Sequence, residues 1–390
     1  MTRSTFLPPI HILGFIAMGS IVAIMMPSPI LPLYLSERGL PPAHVGAVIG
    51  VMSLALVVTE LTASTATSLV GRRATVLVGL AGSVVMLGTF PLIASLIGLY
   101  LNRILLGAVR GMLWPVTFAE VAELAPPEQR AASFATFWLY FGVGTLVGPV
   151  LGGILGKKIS LTAPFYAAAL VSLLTIPASM VVRPLKDSGP RNPLTTLALL
   201  FHTAPHVIRV WAITLCNVIV FSVYVTFLPL HAVARGLSPI RIGLIFTGGA
   251  VAFIIGQWLL QRFSDRISPD RLLLPAFLFR GLGVAIVPLL SSFTGLLVAN
   301  SISSLAGAAV PVALSMRVAS KTAPEHLVAA MGGFNASADL GFFVGPVVGG
   351  LLAGLGLHWA FVMVLPVTAT ALLLLRGAPT THAVAEQAAK

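Results

Sequence analysis

Charge is what this sequence has least of: only 9% of its 390 residues are charged, and just 11 of them are acidic. A well-behaved soluble surface is roughly a quarter to a third charged, so this composition excludes a freely dispersed globular protein. Cysteine occurs once, as Cys216, which rules out an intrachain disulfide. No glycine loop built to cradle phosphate, no ATP-binding motif and no credible metal cluster can be read in the chain, so ATP-driven transport by this chain alone is not expected, nor enzymatic catalysis, nor a bound cofactor. His11, His44, His231 and His358 are far apart in sequence and sit near the ends of expected helices, where an interfacial role is the simpler reading. Long alternations of apolar and polar residues are also missing, which argues against a β-barrel.

What remains is apolar. Hydrophobic residues make up 57% of the chain, in recurring stretches of about 20, long enough to cross a hydrocarbon core of about 30 Å. In such a solvent only helices or closed barrels satisfy the backbone. The reading is therefore an all-α integral membrane protein. Its helices are expected near residues 8–35, 43–68, 74–95, 97–121, 131–157, 162–182, 208–232, 240–262, 271–291, 294–318, 327–354 and 358–376. Twelve spans place both termini on one side. That side carries Arg3, Arg72, Arg73, Arg130 and Arg183 with most of the later basic loop residues, against Arg38, Lys157, Lys158, Arg235 and Arg241 opposite. The positive-inside rule assigns the richer side, and both termini, to the cytoplasm. The net charge of +12 is thus a topology signal and does not call for nucleic acid.

The chain also repeats itself. Gly144–Gly153 reads GTLVGPVLGG and Gly341–Gly350 reads GFFVGPVVGG, a separation of 197 with seven of ten positions identical. At the same separation Leu31–Gly46 meets Leu228–Gly243, and Pro127-Glu128 meets Pro324-Glu325. Three anchors in one ungapped register indicate a duplicated six-helix bundle. The expected organisation is an N-terminal bundle over 1–182, a proline-rich cytoplasmic linker over 183–207, a pseudo-symmetric C-terminal bundle over 208–376 and a polar cytoplasmic tail over 377–390.

Over essentially its whole length the chain resembles the major facilitator superfamily, and within it the twelve-helix drug:proton antiporters. Three motifs carry the resemblance. The first is the fifth-helix glycine pattern Gly144, Gly148, Pro149, Gly152 and Gly153, repeated as Gly341, Gly345, Pro346, Gly349 and Gly350. Small residues four apart allow close helix approach and proline weakens the ladder, so packing and hinging are both implied. The second is the loop motif after helix 2, which here reads STATSLVGRR over Ser64–Arg73, with Ser68 where the family has Asp; its second copy keeps Asp265 and Arg266. The resemblance implies a cytoplasmic gate of Gly71, Arg72, Arg73, Asp265 and Arg266, with Glu120 a possible partner of Arg72 or Arg73. The third is R-x-x-x-G from Arg103 to Gly107, followed seven residues later by Arg110. Seven residues are nearly two helical turns, so both arginines share a face.

The ionisable residues inside the spans break the repeat. Glu60 falls on Gln257, Arg103 on Asn300, Arg110 on Gly307, Arg280 on Ser83 and Asp339 on Gly142. An intramembrane charge costs about 2.5–3.5 kcal/mol on the insertion scale, so such residues are paired or functional. Asp339 and Glu60 are the proton-carrier candidates, Asp339 first, with Arg103 and Arg110 assisting. An ion pair of Asp339 with Arg280 or Arg110 is the structural alternative. The family's cavity-lining helices nominate Met25, Met26, Arg110, Trp114 and Trp138 from the first half, and Asn217, Phe221, Tyr224, Asn300, Phe334 and Asn335 from the second.

The resulting expectation is a proton-gradient-driven secondary transporter that exports amphipathic or hydrophobic small molecules by alternating access, as a monomer in a bacterial inner membrane. Its partners would be the substrate, protons and the bilayer. One alternative is a dedicated carrier of an anionic metabolite, lipid or siderophore. Another, of a different class, is a non-transporting membrane sensor or scaffold.

Overall fold

A computed structural model describes residues 9–124, 130–184, 205–263, 269–321 and 327–376. Every regular element among them is helical. In chain order these are α1 (Pro9–Met25), α2 (Leu31–Glu37), α3 (Pro42–Val70), α4 (Arg72–Thr89), α5 (Leu96–Arg110), α6 (Leu113–Leu124), α7 (Arg130–Lys158) and α8 (Ala163–Thr175). They continue as α9 (Pro205–Ala234), α10 (Pro239–Phe263), α11 (Pro269–Ala285), α12 (Phe293–Gly307), α13 (Ala309–Lys321), α14 (Leu327–Ala353), α15 (Leu357–Val362) and α16 (Val364–Arg376). Ten segments among the described residues are long and apolar enough to cross a membrane. The stretches expected as the first and ninth spans give shorter helices, α1 and α11, of 17 residues each.

Several expected spans are divided, and proline places the breaks. A proline removes one N–H and its ring collides with the carbonyl four residues earlier. Four residues before Pro29 is Met25, where α1 ends; before Pro115 is Gly111, just beyond α5; before Pro311 is Gly307, the end of α12; before Pro366 is Val362, the end of α15. Pro149 and Pro346 do not act this way, since α7 and α14 run through them uninterrupted.

The helices gather into two compact units. The first comprises Met1–Leu31 with Ala55–Arg191, the second Pro32–Leu54 with Asn192–Lys390. In the first unit the glycine motif of α7 lies directly on α1. A methyl group on Gly144 would come within 3.0 Å of Ile21 Cβ and the Met18 carbonyl, one on Gly148 within 2.6 Å of Met25 Cβ, and one on Gly152 into the Met26 carbonyl. In the second unit the copy on α14 lies on α9 in the same register: Gly341 meets Val218 and Leu215, and Gly345 meets Ser222 and Ile219. Ser222 adds a hydrogen bond, its Oγ donating to the Gly341 carbonyl at 3.0 Å. The repeat is therefore a repeat of contacts as well as of letters. Small residues let the backbones meet and gain dispersion contacts that apolar tails cannot supply in lipid by hydrophobic effect alone.

The second unit also draws in the start of α3. Gly46 rests on the Pro346 carbonyl, a methyl on Gly50 would lie 2.8 Å from the Phe343 carbonyl, and one on Gly350 would lie 2.7 Å from the Pro42 carbonyl. Separate apolar cores back these seams. One is built around Leu13, Ile16, Val76, Leu80 and Phe137 in the first unit, the other around Val210, Trp211, Phe277, Val310 and Leu314 in the second.

Gly148→Val should destabilise the protein by about 1–3 kcal/mol through overpacking against Met25. Gly142→Ala, where an added methyl meets nothing within 4 Å, should leave the thermal midpoint in detergent nearly unchanged. Equal shifts for both would contradict this packing.

Candidate functional site

The charged cluster at the start of α4 is built from three segments of the first unit. Gly71 adopts φ 85°, in the region that favours glycine, and turns the chain from α3 into α4. Arg72 then points inward and its Nη1 donates to Glu120 Oε1 on α6 at 2.9 Å. The same carboxylate receives Arg183 Nε at 3.1 Å on its other oxygen, and the Arg183 Nη2 at 3.4 Å. Glu120 is wholly buried, so two guanidinium groups and their charge-assisted bonds compensate its desolvation. Arg73 takes no part in that pair; it donates from Nε to the Val182 carbonyl at 2.7 Å and from Nη2 to the Met180 carbonyl at 3.0 Å. The arginine pair thus divides between a carboxylate and the end of the 3-10 helix Ile176–Val181. Asp265 and Arg266 of the second copy lie outside the described residues.

Deeper in the first unit, Arg103 and Arg110 share one face of α5, 7% and 5% exposed. Arg110 Nη2 donates to the Ser20 carbonyl on α1 at 2.9 Å. Its Nη1, the Arg103 Nε and the Ser20 Oγ have no hydrogen-bond partner. Trp114 packs edge-on to Phe137 at 5.8 Å and against Phe141 at 5.5 Å, and Trp138 joins the same aromatic group through Phe141 while staying half exposed. Met25 and Met26 lie against the α7 seam, Met26 fully buried.

In the second unit Asn217, Phe221 and Tyr224 recur at helical spacing along one face of α9. Arg280 of α11 stacks its guanidinium over the Phe221 ring, 5.0 Å from the centroid. The Asn217 Oδ1 and the Tyr224 hydroxyl are buried without a hydrogen-bond partner. Asn300 is committed elsewhere: its amide donates to the Ile245 carbonyl at 2.7 Å and its oxygen accepts from Ser304 at 3.3 Å. Phe334 packs on the second core, Asn335 is exposed, and Asp339 on α14 is half-buried. Glu60 is half-buried on α3 in the first unit. Among the described residues Arg103 and Arg110 have no carboxylate partner within the first unit and Arg280 has none within the second, so Asp339 and Arg280 do not form the alternative ion pair.

Two residues of these clusters escape a reading of the sequence. Arg183 opens the stretch expected to be a linker, and nothing in its sequence neighbourhood ties it to Glu120. Ser20 contributes a main-chain oxygen, which no side-chain pattern announces, although it stands 197 positions before Asn217.

Apolar spans, buried arginines without a carboxylate partner among the described residues and a doubled glycine seam define a polytopic membrane protein of the carrier type. The sequence profile described as Major Facilitator Superfamily matches residues 13–238 and again 210–390, and the chain belongs to that superfamily of transporters. It is 22% identical over 341 residues to an uncharacterized MFS-type transporter of Methanocaldococcus jannaschii, covering 84% of this chain and 86% of that one. Shorter likenesses join it to the class C tetracycline resistance protein of Escherichia coli, 36% identical over 32% of this chain and 31% of the relative. A quinolone resistance protein, NorA of Staphylococcus aureus, is 26% identical over 40% of this chain and 39% of the relative. In fold, the chain matches the nucleoside transporter NupG with a TM-score of 0.77 at 12% identity, covering 95% and 98% of the two chains. It matches a bacterial homologue of the human lysosomal transporter Spinster with 0.74 at 15% identity, covering 94% of each.

Glu120→Ala should cost about 3–5 kcal/mol, because it removes the buried carboxylate that Arg72 and Arg183 share. Arg183→Ala should cost about 1 kcal/mol or less, its side chain being 34% exposed. Thermal unfolding of the two purified variants checks the order; a larger loss for Arg183→Ala would contradict it.

Proposed function

We propose that this protein is a proton-coupled exporter of amphipathic small molecules that works by alternating access. The observation that carries the reading is the set of buried guanidinium groups with unsatisfied N–H donors, Arg103 and Arg110, in a chain of the carrier type. A cation held in a low-dielectric interior at this cost is complemented by cargo bearing an electronegative group. The aromatic group of Trp114, Phe141 and Trp138, with Met25, supplies adaptable apolar surface in the same unit. Export, as opposed to uptake, is supported by the likeness to the tetracycline and quinolone resistance proteins.

Asp339 and Glu60 are the proposed proton carriers, Asp339 first. Each lies on a helix with a membrane-spanning stretch, and each is a carboxylate that a change of access can expose in turn to either side of the membrane. In this reading the chain has twelve spans, with its bundles at 1–182 and 208–376, a cytoplasmic linker at 183–207 and both termini in the cytoplasm. It functions as a monomer in a bacterial inner membrane. The Arg72–Glu120–Arg183 cluster then acts as part of a cytoplasmic gate.

A second reading, a dedicated carrier for one anionic metabolite, lipid or siderophore, is favoured by a specific observation: the buried arginines Arg110 and Arg280 have no carboxylate partner among the described residues. Proteoliposomes with an imposed pH gradient, offered cationic, neutral and anionic substrates, separate the two. Gradient-driven movement of several amphipathic compounds supports the exporter; movement of a single anion alone supports the dedicated carrier; none at all overturns both. Asp339→Asn should lower gradient-driven transport by about tenfold or more while leaving substrate exchange without a gradient. Full gradient-driven transport in that variant would remove Asp339 as the carrier.

A further inference from the structure

Aligning the two halves at their separation of 197 pairs Ser83 with Arg280, Arg110 with Gly307 and Ser20 with Asn217. The structure shows what these pairs have in common. In the second unit a methyl on Gly307 would run into Arg280 Nη1, so the guanidinium fills the space that only a glycine leaves open on α12. In the first unit, methyl groups on Gly79 and Gly82 of α4 would press on Val109 of α5, and Asn102 of α5 donates to the Met86 carbonyl at 3.0 Å. Ser83 is fully buried on that same face. The aligned positions thus hold one arginine and one small residue in each half, the arginine on α5 in the first unit and on α11 in the second, where it faces Gly307. In the first unit the guanidinium is anchored on Ser20; at the equivalent position of the second stands Asn217, with its oxygen unpartnered.

We propose that the second unit contains an anion-binding subsite in which Arg280 receives the acidic group of an aromatic ligand. The proposal rests on the transport reading above and gives it a substrate class. Arg280 is 9% exposed, and its guanidinium makes no hydrogen bond or ion pair among the described residues, lying between the Phe221 ring and Gly307. A stacked guanidinium keeps its in-plane N–H groups free for a planar acid, and the Phe221 and Phe342 rings, edge to face at 5.9 Å, give an aromatic body apolar surface beside it. The Asn217 oxygen, 8% exposed as a residue, and the Tyr224 hydroxyl, 3% exposed, are both unpartnered and lie along the same face of α9 as Phe221. They complete the subsite with an acceptor and a donor for a second polar group on the ligand.

The test is equilibrium binding to the full chain in zwitterionic nanodiscs at one pH, with 2-naphthoate against its neutral isostere 2-naphthamide. The wild type should bind the carboxylate about tenfold or more tightly than the amide, the worth of a charge-assisted bond. Arg280→Gln should abolish that preference, with the amide nearly unaffected, and Gly307→Ala should reduce it by displacing the guanidinium without removing it. If Arg280→Gln does not fold, Gly307→Ala and Arg280→Lys decide. No preference in the wild type, or a preference untouched by these variants, overturns the subsite. Binding without a gradient needs no proton coupling, so failed gradient-driven transport with this preference intact would refute the exporter and leave the subsite standing.

Discussion

Everything in this structure depends on how closely two helix backbones can approach where no water is available to drive them together. In lipid, burial of apolar side chains gains little over contact with acyl chains, so packing must be won from surface fit. The α1–α7 seam and its counterpart α9–α14 meet that requirement with glycine at every fourth position, bringing backbone carbonyls within van der Waals reach of the opposing helix. The cores of each unit form behind these seams, and Arg110 on α5 reaches one seam helix, α1, through the Ser20 carbonyl.

That dependence was legible in the sequence because it is local and periodic. The GPxxGG element, its repetition and the apolar spans required only spacing and residue size to interpret. Helix breaks were less legible: the expected spans at 8–35, 97–121, 294–318 and 358–376 ran through Pro29, Pro115, Pro311 and Pro366 as if none would end a helix. Yet α7 and α14 do run through Pro149 and Pro346, so proline alone does not decide, and the surrounding packing selects between a kink and a stop. Pro32–Leu54 is a different case. Its grouping with the second unit arises from backbone contacts of Gly46, Gly50 and Gly350, which no repeat could reveal because it joins residues from opposite halves of the alignment.

The charges were half legible. Their positions and their failure to repeat were plain, as was the candidacy of Glu120 as a partner for an arginine of the loop. Their partners were not: Arg183 and the Ser20 carbonyl enter through tertiary geometry alone. Positions 83 and 110 each differ from their counterparts, but linear comparison treats these as two independent losses. Only the packing of α11 on α12 shows that Gly307 leaves room for the Arg280 guanidinium.

The proline-determined helix ends have a consequence for those arginines. Arg110 occupies the last turn of α5, and Arg280 reaches Gly307, the last residue of α12. The C-terminus of a helix carries a partial negative charge from its unbonded carbonyls, equivalent to about half an elementary charge. In the second unit the end of α12 thus stands beside a guanidinium that has no carboxylate partner among the described residues, while in the first unit Arg110 takes the Ser20 carbonyl of α1. A carboxylate can be neutralised by a proton; a row of peptide carbonyls cannot. The charge that a helix end or a main-chain carbonyl presents to these arginines is therefore the same at any pH.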